Sequence, residues 1–278
     1  MAKELKTDRL VRIGVFYDGN YFLHVSNYYN YVHARRSRLS IAGLHEFICH
    51  QVAAEEGADT RHCKIVDAHY FRGRLNAQEA SQKGNLLYYD RVFDDILMSE
   101  GVVTHYLPIR TIFGRREDKG VEVWLSLEAY ELARYKSFDV VVLIGSDGDY
   151  VPLARKLNTL GVRVMLINWE FEFTNEEGHK TVTRTSQDLA AEATYDVAMH
   201  DVADGKELIS AFDINNLFVV PSASRQPFVP FVDSEPRLPR PAASLSTEPE
   251  GETAQGEIFS LKNGYGFIKY PPNNLFFH

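Results

Sequence analysis

Only two cysteines occur in 278 residues, Cys49 and Cys63. That excludes a multi-disulfide scaffold, suits a reducing compartment, and leaves a single disulfide compatible with the count. No apolar run approaches the roughly 18 residues needed to span a bilayer; the longest, such as Val140–Ile144, are strand-length. The opening residues, Met1–Lys6, are polar and lack the apolar core of a secretory leader. These absences predict a cytoplasmic protein with no membrane partner. Positive charge is also in deficit, with 30 Lys and Arg against 38 Asp and Glu, a formal net charge of −8. Nucleic-acid binding by bulk positive charge is therefore excluded. An acidic site that holds cations is not, because bound ions supply the positive field themselves. At 45% hydrophobic and 24% charged residues, the rest of the composition is that of a globular protein. A homo-oligomer is compatible with the sequence. No internal repeat is visible.

Strand and helix patterns alternate over residues 10–220, which we read as one domain. Val11–Tyr17 (VRIGVFY) is a short run rich in β-branched and aromatic residues, as in a buried strand. Ser40 is placed to cap a helix from Ile41 to Glu56, closed by Gly57. Lys64–Phe71 predicts a second strand. Glu79–Ser99 has helical spacing and ends before Gly101. Val102–Leu107 predicts a third strand, and Val121–Tyr135 a helix with Val121, Leu125, Ala129 and Leu132 on one face. Asp139–Ile144 (DVVVLI) is the clearest buried strand. A helix over Val151–Leu160 stops at Gly161, and the next strand is Val162–Ile167. A helix from Ser186 to about Met199 closes the unit. Continuously apolar strands alternating with helices imply a three-layer α/β/α sandwich with a mainly parallel central sheet. In such sheets ligands bind beyond the carboxyl ends of the strands, where strand order reverses.

Two acidic motifs stand directly after the two best strands. Asp18-Gly19-Asn20 follows Val11–Tyr17, and Gly145-Ser146-Asp147-Gly148-Asp149 follows Asp139–Ile144. Placed on neighbouring parallel strands, Asp18 and Asp147 converge, and close carboxylates repel unless protons or cations intervene. Oxygen-only ligands suit Mg²⁺ or Mn²⁺ rather than zinc. Glu122, in the first turn of the Val121–Tyr135 helix, adds a third acid where the helix dipole favours one. Any one of these residues alone is more simply a helix cap or a first-turn acid. Two Asp motifs at strand ends in one α/β pattern favour a shared site.

FYDGNYF (Phe16–Phe22), DKGVEVWLSLEAYELA (Asp118–Ala133) and DVVVLIGSDGDYVPLARKLNTLGVRVMLI (Asp139–Ile167) resemble the NYN domain. This is a branch of the PIN-like nucleases that includes the LabA-like proteins, and the resemblance spans roughly residues 10–200 with three motifs in order. It implies metal-dependent hydrolysis of RNA leaving a 5′-phosphate. Asp18 matches the first metal-binding Asp and Asn20 the Asn beside it. Asp147 and Asp149 match the two acids of the family's GD-x-D motif. Glu122 falls where Asp is usual, and Gly145-Ser146 stands where Ser-Gly is usual. The implied catalytic set is Asp18, Asn20, Glu122, Asp147 and Asp149, with the four acids as ligands of Mg²⁺ or Mn²⁺. Asn20 is expected to orient Asp18 or a phosphate oxygen. A haloacid-dehalogenase-type phosphatase would need Asp-x-Asp after the first strand, and Asp18-Gly19-Asn20 does not supply it. A non-catalytic RNA-binding adaptor on the same scaffold is the other alternative.

Further candidates surround this set. Arg115, Arg116 and Lys119 are placed to contact an RNA backbone, and Arg35-Arg36-Ser37-Arg38 is a second basic loop. Such loops are more commonly plain solvated surface. Tyr17, Tyr21, Phe22 and Tyr150 flank the motifs and read first as core. Cys49-His50 and His62-Cys63 match no usual zinc spacing. Residues 221–255 hold seven of the eleven prolines and predict an extended, disordered linker. The last stretch, 256–278, resembles the beginning of a cold-shock domain through Lys262–Ile268 and Leu275–His278. By that resemblance Tyr265, Phe267, Phe276 and His278 stack bases of single-stranded RNA. With about three strands it falls short of a closed five-stranded barrel.

Overall fold

The computed structural model of the chain describes residues 9–112, 115–117, 120–174, 180–206, 212–220, 258–262, 265–268 and 275–277. The chain divides into two compact units, Met1–Ala223 and Ser224–His278. The first carries strands β1 (Val11–Asp18), β2 (Cys63–Arg74), β3 (Val103–Pro108), β4 (Arg110–Ile112), β5 (Arg115–Glu117), β6 (Val140–Ile144), β7 (Arg163–Asn168), β8 (Phe171–Thr174), β9 (Lys180–Thr183) and β10 (Tyr195–Ala198). Its helices are α1 (Gly19–Tyr31), α2 (Ile41–Glu55), α3 (Ala77–Ser81), α4 (Leu86–Ser99), α5 (Val121–Lys136), α6 (Val151–Thr159), α7 (Gln187–Glu192) and α8 (Met199–Ala203).

Six strands form the central sheet in the order β10-β7-β6-β1-β2-β3, every neighbouring pair parallel. The chain winds outward from β1 through β2 to β3. It then returns to the other side of β1 for β6, β7 and β10. The winding therefore reverses between β1 and β6, which opens a crevice at their carboxyl ends.

Strand side chains alternate between two cores, as the two-residue period requires. Ile13, Val15 and Tyr17 of β1 pack on one face with Phe22, Phe47, Leu97 and Met199 from α1, α2, α4 and α8. Phe16, Val141 and Leu143 pack on the other with Leu125, Leu157 and Leu189 from α5, α6 and α7. All five residues of β6 are buried, which accounts for the uninterrupted apolar run in the sequence. The architecture is the expected three-layer α/β/α sandwich with a mainly parallel sheet.

The local stop and start signals behave as their chemistry dictates. Ser40 accepts the Gly43 N–H at 3.1 Å and starts α2. Gly57 at φ +60° lies just beyond it, in the left-handed region where glycine carries no Cβ penalty.

Two elements differ from the sequence expectation. The helix expected over Glu79–Ser99 is two helices, α3 and α4, with Gly84 at φ +58° between them. The helix expected over Ser186–Met199 is α7, then strand β10, then α8. Thr194 exchanges hydrogen bonds with Val164, its N–H reaching Val164 O at 2.8 Å and its Oγ1 accepting Val164 N–H at 3.2 Å. That exchange leads into the β10–β7 pairing, which outweighs the weak helical pattern.

In the second unit β11 (Ile258–Lys262), β12 (Tyr265–Ile268) and β13 (Leu275–Phe277) form an antiparallel sheet in that order. Phe267 stands opposite Phe276 in the ladder. The side chains of Tyr265, Phe267 and Phe276, the residue His278, and the proline-rich stretch expected as a linker lie outside the described residues. Among the described residues no helix is long and apolar enough to cross a membrane.

Candidate functional site

The site is built where β1 and β6 end. Asp18 is the last residue of β1 and the N-cap of α1, in extended conformation at φ −70°, ψ 103°. Its Oδ1 accepts the Tyr21 N–H at 3.1 Å. Its Oδ2 accepts the Tyr150 hydroxyl at 2.9 Å. The residue is only 8% exposed. Gly19 follows because nothing larger fits: a Cβ there would lie 2.5 Å from the Tyr70 ring and 2.6 Å from Phe71 O. Tyr70 donates its hydroxyl to Gly19 O at 2.9 Å and fixes the start of α1 against β2.

Asp147 lies three residues beyond β6. It caps the short 3₁₀ turn Gly148–Tyr150, accepting the Asp149 N–H at 3.0 Å. The bland reading of both Asp residues as caps is thus correct, and it coexists with their convergence. A Cβ on Gly145 would stand 3.7 Å from Asp18 Cβ, so the two loops are in contact. Burial pushes the Asp18 carboxyl pKa up. The Tyr21 N–H, the Tyr150 hydroxyl and the Asn20 N–H oppose that rise, and the Asp147 charge adds to it.

Tyr150 is the residue the sequence reading passed over as core. It is fully buried, and its ring does pack in the core, but its hydroxyl serves the site. Burial first, then the charges of Asp18, Glu122 and Asp147, push its own pKa far above the usual phenol value. Those three acids therefore converge electrostatically on one phenol. The available signal was position, since Tyr150 follows directly on Asp147-Gly148-Asp149.

The other expected residues are placed as follows. Glu122 is half-buried in the first turn of α5. Asn20 acts on Asp18 through its backbone N–H. Asp149 is exposed, and its carboxylate makes no hydrogen bond or ion pair among the described residues. Ser146 hydrogen-bonds the Tyr21 hydroxyl through its side chain, and its carbonyl accepts the Ser186 N–H at 2.9 Å. Arg115 and Arg116 lie on β5, with side chains outside the described residues, as is Lys119.

The second basic loop is engaged in the fold. Arg35 donates to Ala203 O at 2.8 Å and lies 4.5 Å over the Phe218 ring. Arg36 donates to Tyr31 O, and Arg38 to Asn27 Oδ1 at 2.9 Å. Cys49 and Cys63 are free thiols whose pKa values burial raises, that of Cys63 to about 11.

The donor set is compatible with a hard divalent cation. Asp18, Asp147 and Asp149 offer only oxygen, and among the described residues no Lys or Arg pairs with them. Asp18 takes hydrogen bonds from the Tyr21 N–H, the Tyr150 hydroxyl and the Asn20 N–H, which leaves room in its roughly four lone-pair directions for a cation. Among the described residues no three His, Cys, Asp or Glu stand close enough together to enclose a metal ion. Mg²⁺ does not require such a cage, since it is held by one or two carboxylates and retains water.

A model of the NYN domain matches residues 12–188 of the chain. The solved structures similar to it include two. One is a protein of unknown function from Vibrio parahaemolyticus RIMD 2210633, 22% identical, with 70% of this chain and 96% of that one covered at a TM-score of 0.43. The other is a UDP-N-acetylglucosamine 2-epimerase, 10% identical, with 79% of this chain and 51% of that one covered at a TM-score of 0.37. No curated protein matches the chain.

Proposed function

Because this chain belongs to the NYN domain family, a branch of the PIN-like nucleases, we propose that it is a metal-dependent ribonuclease that cuts single-stranded RNA at the β1–β6 crevice. The observation that supports the reading is that Asp18 ends β1 and Asp147 follows β6, its parallel neighbour, at the winding switch. The Asp147 charge adds to the rise of the Asp18 pKa.

Asp18 and Asp147 would hold Mg²⁺ or Mn²⁺, with Glu122 and Asp149 acting through water or on a second ion. When bound, the ion supplies Lewis-acid stabilisation of phosphoryl charge and acidifies the attacking water. The chain's own residues position. The Tyr21 N–H and Tyr150 hydroxyl fix both oxygens of Asp18 in one orientation. The glycines at 145 and 148 let the Tyr150 ring and Ser186 close against the acid loop, where a Cβ would stand 3.3 Å and 3.1 Å from them. No covalent nucleophile is needed, and the product that the family resemblance implies is a 5′-phosphate end. The resemblance of residues 256–278 to the opening of a cold-shock domain adds support for single-stranded RNA as the partner.

The other reading is a non-catalytic RNA-binding adaptor on the same scaffold, to which the exposed Asp149 carboxylate and the cap roles of Asp18 and Asp147 are equally suited. Offering single-stranded and structured RNA with Mg²⁺ or Mn²⁺ separates the two. The ribonuclease reading expects cleavage that EDTA abolishes and that Asp147→Asn lowers by orders of magnitude. Cleavage indifferent to both would remove this site from consideration. RNA bound but never cut would establish the adaptor.

A further inference from the structure

The hairpin of β8 and β9 is clamped along α1 from the turn that carries Asp18. The Tyr21 hydroxyl accepts the Trp169 N–H at 2.7 Å and donates to Trp169 O at 3.0 Å. His24 and Tyr28 follow Tyr21 at helical spacing on the same face. His24 Nε2 lies 2.8 Å from Thr183 Oγ1. The Tyr28 ring stacks on Phe171 with centroids 4.0 Å apart and planes at 9°. At its other end the hairpin runs through Arg184 and Thr185 to Ser186. The Ser186 N–H donates to Ser146 O at 2.9 Å, next to Asp147. A Cβ on Gly148 would come within 3.1 Å of Ser186 Oγ. The two chain segments at the open end of the hairpin thus reach Tyr21, three residues after Asp18, and Ser146, next to Asp147.

A groove of about 230 Å³ runs along it, lined by Glu170, Phe171, Glu172, Val182, Thr183 and Arg184. That volume is below the roughly 300–1,000 Å³ of pockets enclosing whole small molecules, and suits one unit of an extended ligand. The two acids in the lining are already committed. Glu170 accepts the Thr185 N–H at 3.1 Å, and Glu172 pairs with Lys180 Nζ at 3.0 Å. Arg184 is exposed and makes no hydrogen bond or ion pair among the described residues. An uncommitted cation beside an acidic crevice, on a chain of net charge −8, marks where an anion can be held. Arg184 lies two residues from Ser186, roughly 7 Å of chain at most.

We propose that this groove seats one nucleotide of single-stranded RNA next to the phosphate to be cut, Arg184 holding a backbone phosphate while Val182 contacts the base; Phe171, on the opposite face of the hairpin, stacks on Tyr28 and anchors it to α1. The choice of ligand rests on the nuclease reading; the groove does not. Apolar contact with a base face reads no hydrogen-bond pattern, so the subsite sets position rather than sequence.

The test is anisotropy of a short fluorescein-labelled single-stranded RNA in EDTA, where nothing is cut. Val182 is 46% exposed, so Val182→Tyr fills the groove without entering the core, and Arg184→Gln removes only the cation. The expected result is binding about fivefold weaker for Arg184→Gln, with the log–log salt slope reduced by about 0.7, one phosphate contact on a single strand. Val182→Tyr weakens binding as well, and in Mn²⁺ Arg184→Gln raises KM with kcat unchanged. Both variants binding like wild type, or no form binding RNA, overturns the groove. The first of these leaves the nuclease reading intact if Mn²⁺-dependent cleavage persists. Arg184-dependent binding without any cleavage keeps the groove and removes the nuclease.

Discussion

The Tyr150 hydroxyl donates to Asp18 Oδ2 at 2.9 Å, from a phenol that is itself fully buried. A buried hydroxyl committed to one carboxylate oxygen fixes the direction of the remaining lone pairs. Tyr150→Phe removes that constraint and keeps the ring in the core. Partners that orient a metal ligand are typically worth 10- to 100-fold in affinity. Titration of Mn²⁺ followed by electron paramagnetic resonance is expected to show binding weakened by about tenfold, with the thermal unfolding profile of the apo protein retained. Equal Mn²⁺ affinity in the two proteins would reduce Tyr150 to packing.

The raised Asp18 pKa makes the site a cost to folding. A carboxyl raised in the folded state contributes stability that is present below its unfolded pKa and lost as pH rises through the folded value. Asp18→Asn is therefore expected to raise the melting temperature of the metal-free protein at pH 7 while abolishing cleavage. The gap between variant and wild type widens with rising pH and narrows when Mg²⁺ is added, because bound cation offsets the repulsion. A variant that melts lower than wild type at pH 7 without metal contradicts this.

His45 is an acid-sensitive element away from the site. Burial pushes its pKa down to about 4, and among the described residues its Nε2 finds no hydrogen-bond partner. The unfolded chain takes up this proton near pH 6.5 and the folded chain only near 4. Stability is thus full above the unfolded value and is lost as pH falls between the two, by roughly 3 kcal/mol. Urea denaturation from pH 7 to 4 checks it. His45→Leu is expected to flatten that slope, and an unchanged slope would assign the acid sensitivity elsewhere.

Tyr17 carries a buried hydroxyl that has no partner among the described residues, in the core formed with α1 and α2. An unsatisfied buried polar group costs about 1–3 kcal/mol. Tyr17→Phe is expected to be stabilising by about 1 kcal/mol, read from the urea midpoint with the m-value constant. A loss of stability would mean that the hydroxyl is satisfied.

How much of this was legible in the sequence follows from what each signal measures. β1 and β6 could be read because both their faces are buried and their apolar runs are unbroken. That same reading put Asp18 and Asp147 at strand ends. Helix α1 was not anticipated, since Tyr21, Phe22, Val25, Tyr28 and Tyr29 suit a strand as well as a helix, and the Asp18 cap decides the matter through geometry. β10 was taken for helix because four residues carry too little period to outvote their neighbours. Tyr150 and the β8–β9 groove depend on contacts between segments far apart in sequence, which no local pattern encodes.

The two partners of the Asp18–Tyr150 hydrogen bond are 132 residues apart along the chain. Strand β6 comes after β2 and β3 in the chain, yet it lies on the other flank of β1. The crevice that joins Asp18 to the Tyr150 hydroxyl is therefore incomplete on a nascent polypeptide until synthesis has passed Tyr150. Whatever chemistry the two loops share arrives with the finished sheet.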